Sequence, residues 1–204
     1  MVSVWLNKIE GALKKLPVDR HNEAIETLAS WIADQVKNGE KARLNFICTH
    51  NSRRSQFAQT WCSVVQSFLK LDHADSFSGG TEVTACNPRT VEALQRTGLI
   101  VEQGAGNNPV YTVTDDELPV KVQLWSKVFD DEKNPGGKFA AVMTCDHADA
   151  NCPFIPGASI RVPLTYTDPK HADNSPDESG AYDKTCALIA TDMLRLFKLA
   201  KLKI

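Results

Sequence analysis

Leu44-Asn45-Phe46-Ile47-Cys48-Thr49-His50-Asn51-Ser52-Arg53-Arg54-Ser55-Gln56-Phe57-Ala58 changes character twice within one short stretch. Leu44 to Ile47 reads as a short strand, and it runs straight into a polar octapeptide that begins at Cys48. From Ser55 the apolar residues Phe57, Trp61, Val65 and Phe68, flanked by Ala58, Cys62 and Leu69, recur at helical spacing. The unit is strand, loop, helix. A loop of this kind turns successive backbone N–H groups inward, and the following helix N-terminus adds partial positive charge, so together they cradle a tetrahedral anion. Arg54, six residues after Cys48, can add a planar fork to two anion oxygens. Ser55 can donate its hydroxyl to the Cys48 sulfur, and the same positive environment favours the thiolate, the nucleophilic form of cysteine.

Outward from this unit the pattern alternates. Residues 75 to 82 suggest a second strand closed by glycines, and Asn87-Pro88 opens a helix running to about Gly98. Phe139 to Met143 is a buried-strand run, Ala158 to Pro163 an edge strand, and Tyr182 to Leu199 a final helix. Such alternation predicts an α/β three-layer domain with a largely parallel sheet over residues 41–204. Residues 1–40 form an N-terminal helical extension. Its first apolar face is Val4, Trp5, Ile9, Leu13 and Leu16, its second is Ile25, Leu28, Ala29, Ile32 and Val36, and Pro17-Val18-Asp19 breaks between them. Residues 104–137, rich in Gly, Asn and Pro around the β-like pieces Val110 to Val113 and Val120 to Trp125, read as an insertion, and 168–180 as a loop.

The bulk composition narrows the function classes. A chain of 204 residues, 42% hydrophobic and 24% charged, has enough core for one globular domain. A formal charge of −2 gives no electrostatic reason to expect nucleic acid or an anionic membrane surface as partner, so a small anion must be captured locally. No apolar run reaches membrane-spanning length, and Lys8, Glu10, Lys14 and Lys15 stand where a signal peptide would be apolar; a cytoplasmic location is expected. Six cysteines in that compartment are expected to be reduced, with any disulfide transient.

Two of those cysteines, Cys145 and Cys152, lie seven residues apart after the Phe139 to Met143 strand. One rearranged turn could pair them reversibly; Cys145, His147 and Cys152 could instead ligate zinc, though without a clear fourth ligand; or the pair could be inert. Cys62 and Cys186 share helix faces with apolar residues and read as core, and Cys86 is unassigned. Asp168, ahead of Pro169, is a loop carboxylate able to protonate a leaving oxygen, or else simply an Asp-Pro turn.

Cys48 to Gln56, as Cys-Thr-x-Asn-Ser-x-Arg-Ser-Gln, resembles the loop of the low-molecular-weight protein tyrosine phosphatases and of the arsenate reductases built on their fold. The resemblance runs from residue 44 to about 200. It implies a four-stranded, largely parallel sheet with helices on both faces, Cys48 as nucleophile assisted by Arg54 and Ser55, and Asp168 as general acid. Thr49, His50, Asn51, Ser52, Arg53 and Arg54 become the oxyanion-binding loop, with no metal in the reaction. The Cys145 to Pro153 segment, with its Asn151-Cys152-Pro153 ending, is similar to the redox segment of the thioredoxin-coupled arsenate reductases. That implies reduction of arsenate to arsenite with no tightly bound cofactor and an external thioredoxin-like reductant. The alternative implied is hydrolysis of phosphomonoesters through phospho-Cys48. The chain departs from the pattern in four places. His50 stands where Gly is usual and Arg53 where Cys is frequent. Gln59 stands where the reductases often have Glu beside a potassium ion, and Lys170 and His171 where phosphatases carry aromatic residues.

Overall fold

The computed structural model describes residues 1–13, 21–152 and 154–204. Its centre is β1 (Ala42–Cys48), flanked by β2 (Ala74–Gly80) on one side and by β6 (Phe139–Met143) and then β7 (Ala158–Pro163) on the other, all parallel. Register runs from Ala42 opposite Ala74 to Cys48 opposite Gly80. A parallel sheet must be covered on both faces, and the two-residue period of a strand sorts the side chains accordingly. Leu44, Phe46, Ala140 and Val142 enter one apolar cluster, while Ile47, Ala141 and Met143 enter a second.

The larger cluster lies under α2 (Asn22–Lys37), α3 (Arg54–Phe68) and α6 (Glu178–Lys203). The second face is covered more thinly, by the short α5 (Asp146–Asn151), by Ile155 and by Phe129. α4 (Pro88–Arg96) opens as expected: the Asn87 side chain accepts from the Arg89 N–H, and Pro88 takes the first turn, where no N–H is needed.

Residues 1–40 join the main core. Ile25, Leu28, Ala29 and Ile32 of α2 are buried on the expected face. α1 (Val2–Leu13) turns a different face inward: Val2 and Leu6 are fully buried, Trp5 stacks on Trp61 with ring centroids 4.8 Å apart, and Val4 is 49% exposed. The apolar residues of α1 form two overlapping faces, and the stack on Trp61 selects between them. The expected break at Pro17-Val18-Asp19, and Leu16 before it, fall outside the described residues.

The insertion is a three-stranded antiparallel sheet, β3 (Ile100–Gln103), β4 (Tyr111–Thr114) and β5 (Lys121–Leu124), and it begins earlier than 104. Tyr111, Val113, Val122 and Leu124 alternate into the main core. β3 has no fully buried residue, so it left no alternation to read.

Just after β5, Lys127 is buried with no hydrogen-bond partner for its Nζ, which stands 4.0 Å above the Trp125 ring. Burial pushes its pKa down to about 8 from 10.5, with Asp131 and Cys86 opposing. Below about pH 8 the amine is charged in both folded and unfolded chains, and the native state bears the whole cost of burying it. Between the two values the unfolded chain holds more protons, so native stability climbs with pH. The shift corresponds to about 3 kcal/mol, of which the contact with Trp125 returns about 1. Lys127→Met is therefore expected to stabilise the protein by about 2 kcal/mol near pH 7, the gain fading as the medium approaches about pH 10. Urea unfolding at both pH values checks this; an equal gain at both, or a loss near pH 7, contradicts it.

Candidate active site

β1 ends at Cys48, and the chain turns back on itself before entering α3 at Arg54. The turn needs one left-handed residue. His50 stands where Gly is usual, yet the positive φ of 45° falls on Asn51, a residue type that tolerates it, and His50 keeps a negative φ. Asn51 is fully buried and organises the loop. Its Nδ2 donates to Ser55 Oγ at 2.9 Å, its Oδ1 accepts from the Lys127 N–H at 3.0 Å, and its carbonyl accepts from Gln56 Nε2 at 2.7 Å. Because Ser55 Oγ already accepts from Asn51, its one hydrogen is free for the Cys48 sulfur 3.1 Å away.

The outer wall of the loop comes from the segment after β5. Ser126 Oγ donates to the His50 carbonyl at 2.8 Å, and Asn108 holds Ser126 through two bonds of 2.7 and 3.0 Å. Gln56 Nε2 also donates to the Trp125 carbonyl at 2.8 Å. Gly80, opposite Cys48, leaves room for the loop: a Cβ there would lie 2.6 Å from the Thr49 carbonyl oxygen and 2.8 Å from the Asn51 nitrogen. No motif in the sequence marks Asn108, Ser126 or Lys127 as part of the site.

Arg54 donates through Nη1 to the Tyr166 carbonyl at 2.9 Å and through Nη2 to Asp168 at 2.6 Å, leaving Nε buried without a partner. The two ends of the fork expected to grip an anion are thus taken up by oxygens of the protein itself, one of them on Asp168. Asp168 caps the 3-10 turn Pro169–Ala172 by accepting from the Lys170 N–H at 3.0 Å, while one third of its side chain stays exposed. Arg53 reaches the same carboxylate from farther off, its Nε 3.9 Å from Asp168, while that Nε donates to the Tyr182 hydroxyl at 2.8 Å and the guanidinium lies 3.5 Å from Asp173. Ser52 Oγ donates to the Ala85 carbonyl at 2.7 Å. His50 sits half-exposed on the rim, 3.5 Å from Glu82.

Cys145 and Cys152 bracket α5, one at each cap. Cys145 Sγ, buried, accepts from the Ala148 N–H at 3.3 Å and lies 3.6 Å from Thr49 Oγ1. The Cys152 N–H donates to the Ala148 carbonyl at 3.0 Å, and Arg161 of β7 donates to the Cys152 carbonyl at 3.0 Å. Cys48, Cys145 and Cys152 all join the smaller apolar cluster, at the carboxyl ends of β1 and β6, where open α/β sheets place their sites. All three are free thiols. The other three lie outside that cluster, and burial pushes Cys86 and Cys186 up to about 12 and Cys62 higher still.

Among the described residues no group of three or more His, Cys, Asp or Glu side chains is placed to hold a metal ion, so Cys145, His147 and Cys152 do not converge as zinc ligands. Gln59 accepts from Ser78 Oγ at 2.6 Å and donates to the Gln123 carbonyl at 3.4 Å, so both ends of its amide are engaged. No helix among the described residues is long and apolar enough to cross a membrane.

No protein-family model matches the chain. Among solved structures it is similar to a low-molecular-weight phosphotyrosine phosphatase from Vibrio cholerae O395, with a TM-score of 0.52 and 16% identity over 77% of this chain and 95% of that one. The sheet order, the Cys-x5-Arg-Ser loop at the end of β1 and this likeness give the chain the low-molecular-weight phosphatase fold. Its sequence is similar to the arsenate reductases. It is 29% identical to the arsenate reductase of Halalkalibacterium halodurans over 141 residues, 69% of this chain and 84% of that protein. It is 27% identical to arsenate reductase 2 of Staphylococcus epidermidis over 130 residues, 64% of this chain and 80% of that protein.

Proposed function

We propose that the protein reduces arsenate to arsenite with Cys48, Cys145 and Cys152 acting in sequence. The observation that carries this reading is the placement of Cys145, whose sulfur lies 3.6 Å from the hydroxyl of Thr49, the residue next to Cys48 in the anion loop. A hydrolase working through Cys48 and water has no use for a second thiol there.

In this reading the anion sits on the loop amides, with the Arg54 Nε still unpaired to receive an oxygen. The Cys48 thiolate, held by Ser55, attacks arsenic, and Asp168 gives its proton to the departing oxygen, which leaves as water. Cys145 then attacks the Cys48 sulfur. A disulfide forms, the sulfur–arsenic bond breaks with its electron pair left on arsenic, and arsenic falls from the +5 to the +3 state. Cys152 next attacks Cys145 and frees Cys48. That last exchange needs movement: Cys152 follows Cys145 by seven residues at about 1.5 Å each along α5, which sets the caps about 10 Å apart, whereas a disulfide needs α-carbons within about 7 Å. The helix must unwind for the pair to close. An external dithiol protein of the thioredoxin type then reduces the Cys145–Cys152 disulfide.

The test is to supply prereduced protein with arsenate and a thioredoxin system, measure arsenite and reductant consumption, and assay aryl phosphate hydrolysis beside them. Catalytic arsenite production is expected. Rapid aryl phosphate turnover without arsenite makes the protein a phosphomonoesterase; neither reaction, with tight phosphate binding, makes it an oxyanion-binding module.

A further inference from the structure

Cys145 cannot attack until it loses a proton, and its thiol is 1% exposed. Bulk water does not reach it directly, so the proton must leave through a protein group. Among the described residues the sulfur has two polar contacts: the Ala148 N–H, which can only donate, and Thr49 Oγ1 at 3.6 Å. The Thr49 hydroxyl leads on to His147 Nδ1, 3.3 Å away. A hydroxyl accepts and donates at once, so the three groups form a chain running from a buried thiol to an imidazole on an exposed residue. His147 is on α5, two residues past Cys145, and its carbonyl is tied to Asn151 Nδ2 at 2.8 Å, which holds this part of the helix. Of the two carboxylates on α5, Asp149 is bound to Arg161 at 2.7 Å, and neither it nor the exposed Asp146 is among the polar contacts of the Cys145 sulfur.

We infer that His147 is the base for the second nucleophile, drawing the proton of Cys145 through the hydroxyl of Thr49. This rests on the arsenate reductase reading. With the ring proton on Nε2, Nδ1 is free to accept. Cys145 passes its proton to Thr49 Oγ1 as Thr49 passes its own to His147, so the hydroxyl is unchanged and the imidazole carries the charge. The Cys145 thiolate attacks Cys48, the sulfur–arsenic bond breaks, the departing arsenite takes a proton from water, and His147, on an exposed residue, returns its own proton to water. Thr49 therefore serves the loop with its backbone and the relay with its side chain. His147 acts through Thr49 and touches neither anion nor sulfur.

The experiment is a single turnover of prereduced protein with arsenate, quenched over time for arsenite, with aryl phosphate hydrolysis measured on the same samples. In His147→Ala the ratio of arsenite release to aryl phosphate hydrolysis is expected to fall about a hundredfold, the scale of a lost proton acceptor. Added imidazole is expected to restore part of the release, since the position is open to solvent. His147→Gln supplies an amide that can hold Thr49 but cannot take a proton, and it is expected to stay as slow as His147→Ala. Native release rates in His147→Ala, or native rates in His147→Gln, overturn the relay; the second would reduce His147 to a support for Thr49. A native protein that hydrolyses aryl phosphate but releases no arsenite overturns the arsenate reading itself.

Discussion

Cys48→Ser is expected to lower both arsenate reduction and any aryl phosphate hydrolysis by at least about 10⁴-fold, a loss on the scale seen when a covalent nucleophile is removed. The chemistry asks for sulfur at this position, where Cys48 closes β1 just ahead of α3 with the Ser55 hydroxyl 3.1 Å away. Nothing there brings a serine hydroxyl near ionisation, because an alcohol starts several units above a thiol. The fold is expected to persist. Serine is nearly the size of cysteine, it can keep the contact with Ser55, and β1 is held by its register with β2 and β6 rather than by the sulfur. Steady-state assays with a thermal melt check both halves. A Cys48→Ser protein that keeps most of either activity places the chemistry elsewhere, and one that fails to fold makes Cys48 structural.

The parts of this architecture legible in the sequence are those where local pattern and tertiary setting agree. Phe139 to Met143 is buried at every position, so its unbroken apolar run could only be a central strand. Ala158 to Pro163 ends in a proline, which lacks a ladder donor and so suits the edge position that β7 takes. The change from strand to polar loop to helix around Cys48 was visible because three different periods meet there. What stayed hidden depends on contacts distant in sequence. Asn51 tolerates the left-handed turn and is held in it by the Lys127 N–H, 76 residues on, which donates to its side chain, and nothing near residue 127 announces that. The segment counted as an insertion is the wall that holds the loop, through Ser126 and Asn108. His147 seemed at most a zinc ligand, because only the fold brings it to Thr49, 98 residues away.

Cys152→Ser and Cys145→Ser are expected to fail at different steps, and the difference separates a reductase from a phosphatase that merely shares its loop. Prereduced Cys152→Ser retains Cys48 and Cys145, enough sulfur to expel one arsenite per molecule, after which the Cys48–Cys145 disulfide has no resolving thiol and turnover stops. Cys145→Ser forms the arsenic adduct on Cys48 but has no attacking sulfur within reach, since Cys152 lies at the far end of α5, about 10 Å along the helix. It should release no arsenite on that timescale. Hydrolysis of an aryl phosphate should survive in both, because water needs neither sulfur. In the native protein, arsenate should leave a Cys145–Cys152 bridge, read as a loss of about 2 Da and a linked peptide after digestion, since a disulfide forms by losing two hydrogens. Because the caps of an intact α5 are too far apart to bond, the oxidised protein should also lose amide protection across residues 146–151. If both serine variants reduce arsenate through many cycles at the native rate, the cysteines at the ends of α5 are ordinary helix caps and the three-step relay is wrong.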